Sequence, residues 1–387
     1  MSELVVHPWK PLFDSESRVL VLGTIPSPRS RAEGFYFGHP QNVFWSAIAD
    51  SLRAPRLPAG AGISEKTALL RENHVALWDV LHSCVIEGAS DASVREPVPN
   101  KFKGIIEASK ISAVFATGKT AVSLFNKYCV TESGMRAIYL PSTSPANRAT
   151  QMKPAFAESW AGVGRIIRGE LVSAAGMKAA DAFTIHVRGI PSMTLMENAA
   201  GAVCEVIAER CFTGKSAVPP RIVCVCGAGN NGGDGFAVAR LMKKKGARAE
   251  VVFVGEKAKL TAETSQQWEL AAGSGVPVYE NDNMRIMSAA DGAVIVDAVF
   301  GIGLTRNITR GYLDAVRAME AAKRGGARIV AVDIPSGVSA DTGEILGAAA
   351  PADFTVTFAC NKIGLTAEPG KTAAGTVVVK DIGIAVI

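Results

Sequence analysis

The sequence predicts an α/β protein built as two three-layer α/β/α domains with mostly parallel sheets. Three observations predict it. Short apolar runs alternate with helix-like segments along the whole chain. Most of these runs end in loops rich in glycine, proline or small polar residues. The length of 387 residues exceeds one ordinary domain and leaves each half enough chain for its own core.

In the first half, residues 18–22 read as a strand ending in Gly23-Thr24-Ile25-Pro26-Ser27. Residues 75–80 and 113–116 are further strands, the second ending in Thr117-Gly118-Lys119-Thr120. Ala137–Leu140 is another and runs into Pro141-Ser142-Thr143-Ser144-Pro145. Helical patterns cover 43–52 and 120–128, and 155–170 closes the domain. Ser173-Ala174-Ala175-Gly176 is a small-residue stretch, and the junction falls there. The first domain is thus expected over 1–170 and the second over 177–387.

The second half repeats the pattern. Arg221–Cys226 is a strand followed by a glycine-rich turn and a helix over 236–244. Residues 249–254, 293–296 and 329–332 read as buried strands; Phe354–Phe358 and 376–379 follow. No internal repeat or low-complexity tract is visible.

Composition narrows the class. Hydrophobic residues make up 48% and charged residues 20%, as in soluble globular proteins. Residues 1–170 carry 19 Lys+Arg against 15 Asp+Glu, a net +4, whereas the remainder carries 22 against 21. The basic excess in the first half favours a polyanionic partner there. The seven cysteines (84, 129, 204, 211, 224, 226 and 360) form no disulfide framework. Their odd number predicts reduced thiols and a cytoplasmic protein. Cys224 and Cys226 share one face of a strand, and with no second Cys or His pair they read as small core residues. No basic stretch followed by a long apolar run opens the chain, so neither a signal peptide nor a membrane span is expected.

The most informative segment is Gly227-Ala-Gly229-Asn230-Asn231-Gly232-Gly233-Asp234-Gly235. Glycine lets backbone approach a ligand, and the start of a helix presents unpaired N–H groups. A tight turn alone would need the glycines; it would not need two amides and a carboxylate. Asp297 ends one strand before Phe300-Gly301-Ile302-Gly303-Leu304, and Asp333 ends another before Ile334-Pro335-Ser336-Gly337. Carboxylates at the C-terminal ends of parallel strands lie where such sheets bind ligands, although one such Asp alone is more simply a helix cap.

With Gly189-Ile-Pro-Ser-Met-Thr-Leu-Met-Glu-Asn198-Ala and Ala352-Asp-Phe-Thr-Val-Thr-Phe358, these motifs resemble the NAD(P)H-hydrate epimerase family from about Met177 onward. Ala200 stands where that family usually has glycine. The resemblance implies a Rossmann-like domain acting on hydrated NADH or NADPH and holding one potassium ion through Asn231, Asp297 and Ser336. It implies substrate contacts from Asn230, Asn231, Gly232, Gly233 and Asp234, from Gly301, Ile302, Gly303, Leu304, Thr305, Arg306 and Asn307, and from Asp333. Asp333 is the expected acid–base catalyst, because inverting a hydroxyl-bearing carbon requires loss and return of that oxygen. An ADP- or ATP-dependent dehydratase is expected as a separate polypeptide, and oligomerisation is compatible with the sequence. Two rivals remain: a non-catalytic binding module, and a dehydrogenase, which fits worse for want of a Gly-x-Gly-x-x-Gly with an acidic residue about twenty positions on.

In the first half, Gly23–Ser27, Tyr36-Phe-Gly-His39-Pro40-Gln41-Asn42-Val-Phe44-Trp45 and Pro141–Asn147 combine aromatic faces with amides and small hydroxyls. A packed loop would explain them; so would a pocket for an extruded base. With Leu77-Trp78-Asp79-Val80-Leu81 they resemble the DNA-deoxyinosine (hypoxanthine) glycosylase branch of the uracil-DNA glycosylase superfamily. The resemblance implies DNA as partner and Asn42 as the catalytic amide. Gly23, Thr24, Ile25, Pro26, Ser27 and His39 would form the base pocket, and Ser142, Ser144 and Asn147 would press on the DNA backbone. The damaged base is hypoxanthine or uracil; a non-catalytic DNA-binding module is the alternative.

Overall fold

The structure is a computed structural model and describes residues 2–212, 221–289 and 292–385. The chain divides into two compact units, Met1–Gly176 and Met177–Ile387. Most of the small-residue stretch at the division is helical: Ala174, Ala175 and Gly176 open the Ala174–His186 helix, and Ser173 precedes it. Among the described residues no helix is long and apolar enough to cross a membrane.

The two sheets of the first unit are built from β1 (Ser2–Val6), β2 (Val19–Gly23), β3 (Val75–Asp79), β4 (Leu81–Glu87), β5 (Arg95–Pro99), β6 (Ala113–Thr117) and β7 (Ala137–Leu140). A parallel sheet runs in the order β3-β2-β6-β7, with Val19 opposite both Val75 and Ala113. β2 and β6 are buried along their whole length, which is why both read as unbroken apolar runs. The Phe44–Leu52 helix meets the Pro154–Ile167 helix very closely. A Cβ at Gly164 would lie 1.9 Å from the Ser51 carbonyl oxygen, so only glycine permits this approach.

A second sheet, β1-β4-β5, is antiparallel and accompanies the mostly parallel architecture that the sequence predicts. β5 (Arg-Glu-Pro-Val-Pro) carries two prolines and reads as a breaker; it is tolerated because it lies at the edge and pairs only with β4. This sheet projects the turn at 88–93 toward the C-terminal end of β2.

The second unit contains β8 (Arg221–Cys226), β9 (Arg248–Phe253), β10 (Val278–Glu280), β11 (Val294–Ala298), β12 (Arg328–Val332), β13 (Phe354–Phe358) and β14 (Thr376–Lys380). They form one parallel sheet in the order β10-β9-β8-β11-β12-β13-β14. Ile222, Cys224 and Cys226 enter one core, while Val223 and Val225 enter the core on the opposite face, giving three layers. The strand order reverses between β8 and β11, and a crevice opens at their C-terminal ends.

The helix after β8 starts at Asn230, not near residue 236 as the sequence suggested. Asn230–Gly235 are its first turns. Glycine there looks like a loop because it costs a helix about 1 kcal/mol per residue relative to alanine. Packing demands it: a Cβ at Gly232 would lie 1.9 Å from the Gly227 carbonyl oxygen, and one at Gly235 would lie 2.6 Å from Cys226 Sγ.

Candidate functional site

The second unit opens a cavity of about 570 Å³ at the C-terminal edge of its sheet. Asn230, Asn231 and Asp234 line it from the start of the helix after β8; Gly301, Ile302, Gly303 and Leu304 line it from the loop after β11; Asp333 does so from the end of β12. Gly232 and Gly233 are buried behind the lining, and Thr305, Arg306 and Asn307 extend the same loop on exposed backbone outside it.

Asp333 is the most constrained of these residues. Its φ is +65°, in the left-handed region that side chains other than glycine rarely enter, and its amide is fixed by a 2.8 Å bond to Val356 O. Its Oδ1 accepts from Lys362 Nζ at 2.5 Å and from Thr357 Oγ1 at 3.1 Å. Lys362 is fully buried and also donates to Thr357 Oγ1 and Phe358 O, each at 2.8 Å. All three ammonium protons are thereby satisfied, two by the nearby Thr357 and Phe358 and one by Asp333, 29 positions away. Among the described residues no group bonds Asp333 Oδ2, the oxygen left for the cavity.

Two more carboxylates face the same space. Asp181, from the Ala174–His186 helix, lines the cavity, and burial followed by the Asp333 charge raises its pKa. Burial, then the charges of Asp333 and Asp181, push Asp234 well above the ordinary carboxylate range. Three carboxyls outnumber the ammoniums of buried Lys362 and exposed Lys178, so the site can hold a proton and favour a developing positive charge.

Asp297 and Ser336 lie just behind the lining. Asp297 is fully buried, with Oδ2 accepting from Ser336 N at 2.8 Å and Oδ1 from Ser336 Oγ at 2.5 Å. Ser336 Oγ in turn accepts from Phe300 N at 2.9 Å. Burial pushes the Asp297 carboxyl up to about 6 against these hydrogen bonds. Among the described residues it has no Lys, Arg or His partner, and a buried charge needs one. Asn231 abuts Gly301, and its Nδ2 is buried without a hydrogen bond. Turned over, the same amide would present its oxygen there. Carboxylate, hydroxyl and amide oxygens fit a hard monovalent cation that supplies the missing charge.

In the first unit a cavity of about 540 Å³ sits at the ends of β2, β6 and β7. Gly23, Thr24, Ile25, Pro26 and Ser27 line it, with His39, Asn42, Ser142, Ser144 and Asn147. Asn42 Oδ1 accepts from Phe44 N at 2.9 Å, which fixes the amide and leaves its NH2 and a second lone pair available. Phe37 lines the cavity and stacks on Phe44 with centroids 3.9 Å apart and planes 4° from parallel. Behind the β2 loop, Asp79 is buried. Trp9 N donates to His7 Nδ1 at 3.1 Å, so His7 carries its proton on Nε2 and donates it to Asp79 Oδ2 at 2.8 Å. A Cβ at Gly23 would lie 2.2 Å from Asp79 Oδ1, so this carboxylate demands glycine at the loop's start.

Sequence reasoning singled out neither Lys362, Asp181 nor Asp91, and quoted Asp79 without a role. A lone lysine in Cys360-Asn-Lys-Ile-Gly-Leu365 reads as a solvated side chain; its only signal is that apolar setting. Asp91 sits on the turn of the antiparallel sheet, which had no strand signal strong enough to locate it.

Comparison with known proteins follows the same division. Residues 192–364 match the family described as YjeF-related protein N-terminus, and residues 11–163 match the uracil DNA glycosylase superfamily. The NAD(P)H-hydrate epimerase of Levilactobacillus brevis is 45% identical over 204 residues, 53% of this chain and 89% of that protein. That of Limosilactobacillus reuteri (strain DSM 20016) is 42% identical over 218 residues, 55% of this chain and 96% of that protein. Among solved structures, yeast ynu0 aligns with a TM-score of 0.48 at 22% identity, over 55% of this chain and 87% of that one. A putative uracil DNA glycosylase from Methanosarcina acetivorans aligns with a TM-score of 0.38 at 25% identity, over 43% and 99%. The first half is similar to the uracil DNA glycosylase superfamily over residues 11–163, and through its second half the chain belongs to the NAD(P)H-hydrate epimerase family.

Proposed function

We propose that the second unit interconverts the R and S epimers of hydrated NADH and NADPH, with Asp333 as the acid–base group. The observation that carries this reading is the Asp333 carboxylate, anchored through one oxygen by buried Lys362 and open to the cavity through the other. Epimerisation breaks and remakes the C–O bond at the carbon that carries the hydroxyl and the ring nitrogen. The carboxylic acid protonates the departing hydroxyl, and the nitrogen lone pair yields a cationic ring. Water then adds from the other face while the carboxylate takes back a proton. Opening to an aldehyde with re-closure is the other route: there the C–N bond breaks instead, the Asp333 carboxylate takes the hydroxyl proton, the ring nitrogen gains one, and both transfers reverse on closure to the other face. Asp181 and Asp234 favour the cation electrostatically. Potassium held by Asn231, Asp297 and Ser336 would supply a fixed positive charge beneath the Phe300–Leu304 loop.

In the full chain, Asp333→Asn should lower the rate of epimer interconversion by about 10²–10⁴-fold while dinucleotide binding persists. Chromatographic separation of the epimers over time reads the rate. Turnover within a few-fold of wild type would leave Asp333 a binding residue only.

The potassium assignment has a readout apart from activity. Potassium chloride, compared with equimolar tetramethylammonium chloride, should raise the melting temperature of the wild-type chain, and Asp297→Ala should erase the increment. At a hundredfold excess over Kd the gain is about 2.7 kcal/mol. Equal melting of wild type in the two salts would count against an ion at this site.

For the first unit we propose hydrolysis of the N-glycosidic bond of a deaminated base, hypoxanthine or uracil, in DNA. Asn42, fixed by Phe44 N beside the stacked Phe37, supports it. The amide holds a water on the sugar face opposite the departing base, which leaves as a stabilised anion or its neutral tautomer. Alkali-induced strand scission of oligonucleotides carrying one inosine or uracil tests this. Asn42→Ala should abolish scission and keep DNA affinity, whereas full activity in that variant would move the catalytic role to another group.

A further inference from the structure

The first unit's cavity has a polar wall that the Asn42 chemistry does not use. It is built by the turn between β4 and β5, from which Gly88, Ser90 and Asp91 line the space. Ser93 stiffens this turn: its Oγ donates to Ser90 O at 2.7 Å and accepts from Glu87 N at 2.9 Å. Asp91 reaches across to the β2 loop, where Thr24 Oγ1 donates to its Oδ2 at 2.7 Å. Among the described residues, Oδ1 receives no hydrogen bond and no Lys, Arg or His pairs with the carboxylate.

Acceptor geometry decides what can dock against such a group. A carboxylate only accepts, so it binds a ring N–H and opposes a ring nitrogen with a lone pair. Hypoxanthine offers N1–H and uracil N3–H, each beside a carbonyl. Adenine and cytosine present bare ring nitrogens at the corresponding positions. Deamination creates the very N–H that distinguishes hypoxanthine from its parent adenine and uracil from its parent cytosine; guanine and thymine, which also carry such an N–H, must be excluded by their other substituents.

Resting on the glycosylase reading above, we propose that Asp91 Oδ1 selects the extruded base by accepting its deamination-generated ring N–H, with Thr24 holding the carboxylate in place. Asp91 is a specificity-determining group on a turn outside the parallel sheet. Burial and the nearby Asp79 charge, which make an unpaired carboxylate costly here, agree with a position that a base N–H fills.

The test uses the full chain and oligonucleotides bearing deoxyinosine or 1-methyldeoxyinosine, and deoxyuridine or 3-methyldeoxyuridine, so that only the N–H is replaced within each pair. Wild type should excise the N–H base about 10- to 100-fold faster than its N-methyl counterpart, the range expected of one hydrogen bond to a charged group. Asp91→Ala should slow excision of the N–H base by a similar factor and spare the N-methyl base, so the ratio collapses toward one. Isosteric Asp91→Asn should also slow the N–H base, and Thr24→Val should erode the ratio in part. Equal loss on both members of a pair, or an unchanged ratio in Asp91→Ala, overturns the assignment. Wild type inactive on every substrate would instead overturn the glycosylase reading beneath it, an outcome distinct from either.

Discussion

Lys362 is a fully buried ammonium whose three protons are all spent on Asp333, Thr357 and Phe358. That one interaction constrains the rest of the second site. An unpaired buried lysine would cost several kcal/mol, so Asp333 must stay within reach. The reach obliges Asp333 to leave β12 with φ at +65°, and the 2.8 Å bond from its amide to Val356 O ties that bend to β13. The segment after Val332 is consequently turned so that Ser336 meets Asp297, and Ser336 in turn fixes Phe300 at the base of the glycine loop. Disturbing the pair would propagate along this chain of contacts to the cavity's opposite wall.

Both units place polar side chains where parallel strands end beside a reversal of strand order, yet the chemistry they assemble differs. The first cavity joins a neutral, backbone-fixed amide to stacked aromatic rings, an environment for a flat uncharged base. Asp79, its other carboxylate, is satisfied by neutral His7 and acts on the shape of the Gly23 loop. The second cavity gathers Asp181, Asp234 and Asp333 around buried Lys362, and burial, reinforced by the neighbouring carboxylates, makes Asp181 and Asp234 retain protons more readily than exposed carboxyls. A site built this way suits making and quenching positive charge on a ring.

Legibility in the sequence followed burial. β2, β6 and β8 are buried on both faces and stood out as apolar runs bounded by small residues; Asp297 and Asp333 drew notice as carboxylates at strand ends, and Asn42 through the motif it shares with the glycosylase branch. The helix start at Asn230 was hidden because its glycines answer to tertiary contact with Gly227 and Cys226, which local propensity does not register. β5 was hidden by prolines that only an edge strand accepts. Lys362 was hidden for a related reason: its single charge is neutralised by a residue 29 positions away, and a sequence scan has no term for that partner.

The most direct measurement of the central claim is a double-mutant cycle between Lys362→Met and Asp333→Asn, read as kcat and KM for epimer interconversion, with melting temperature checked for each variant. If Lys362 acts by holding Asp333, Lys362→Met should lower kcat nearly as far as Asp333→Asn does, leave KM close to wild type, and add little when the two changes are combined. Independent, multiplicative losses, or a Lys362→Met variant with wild-type kcat, would contradict the account.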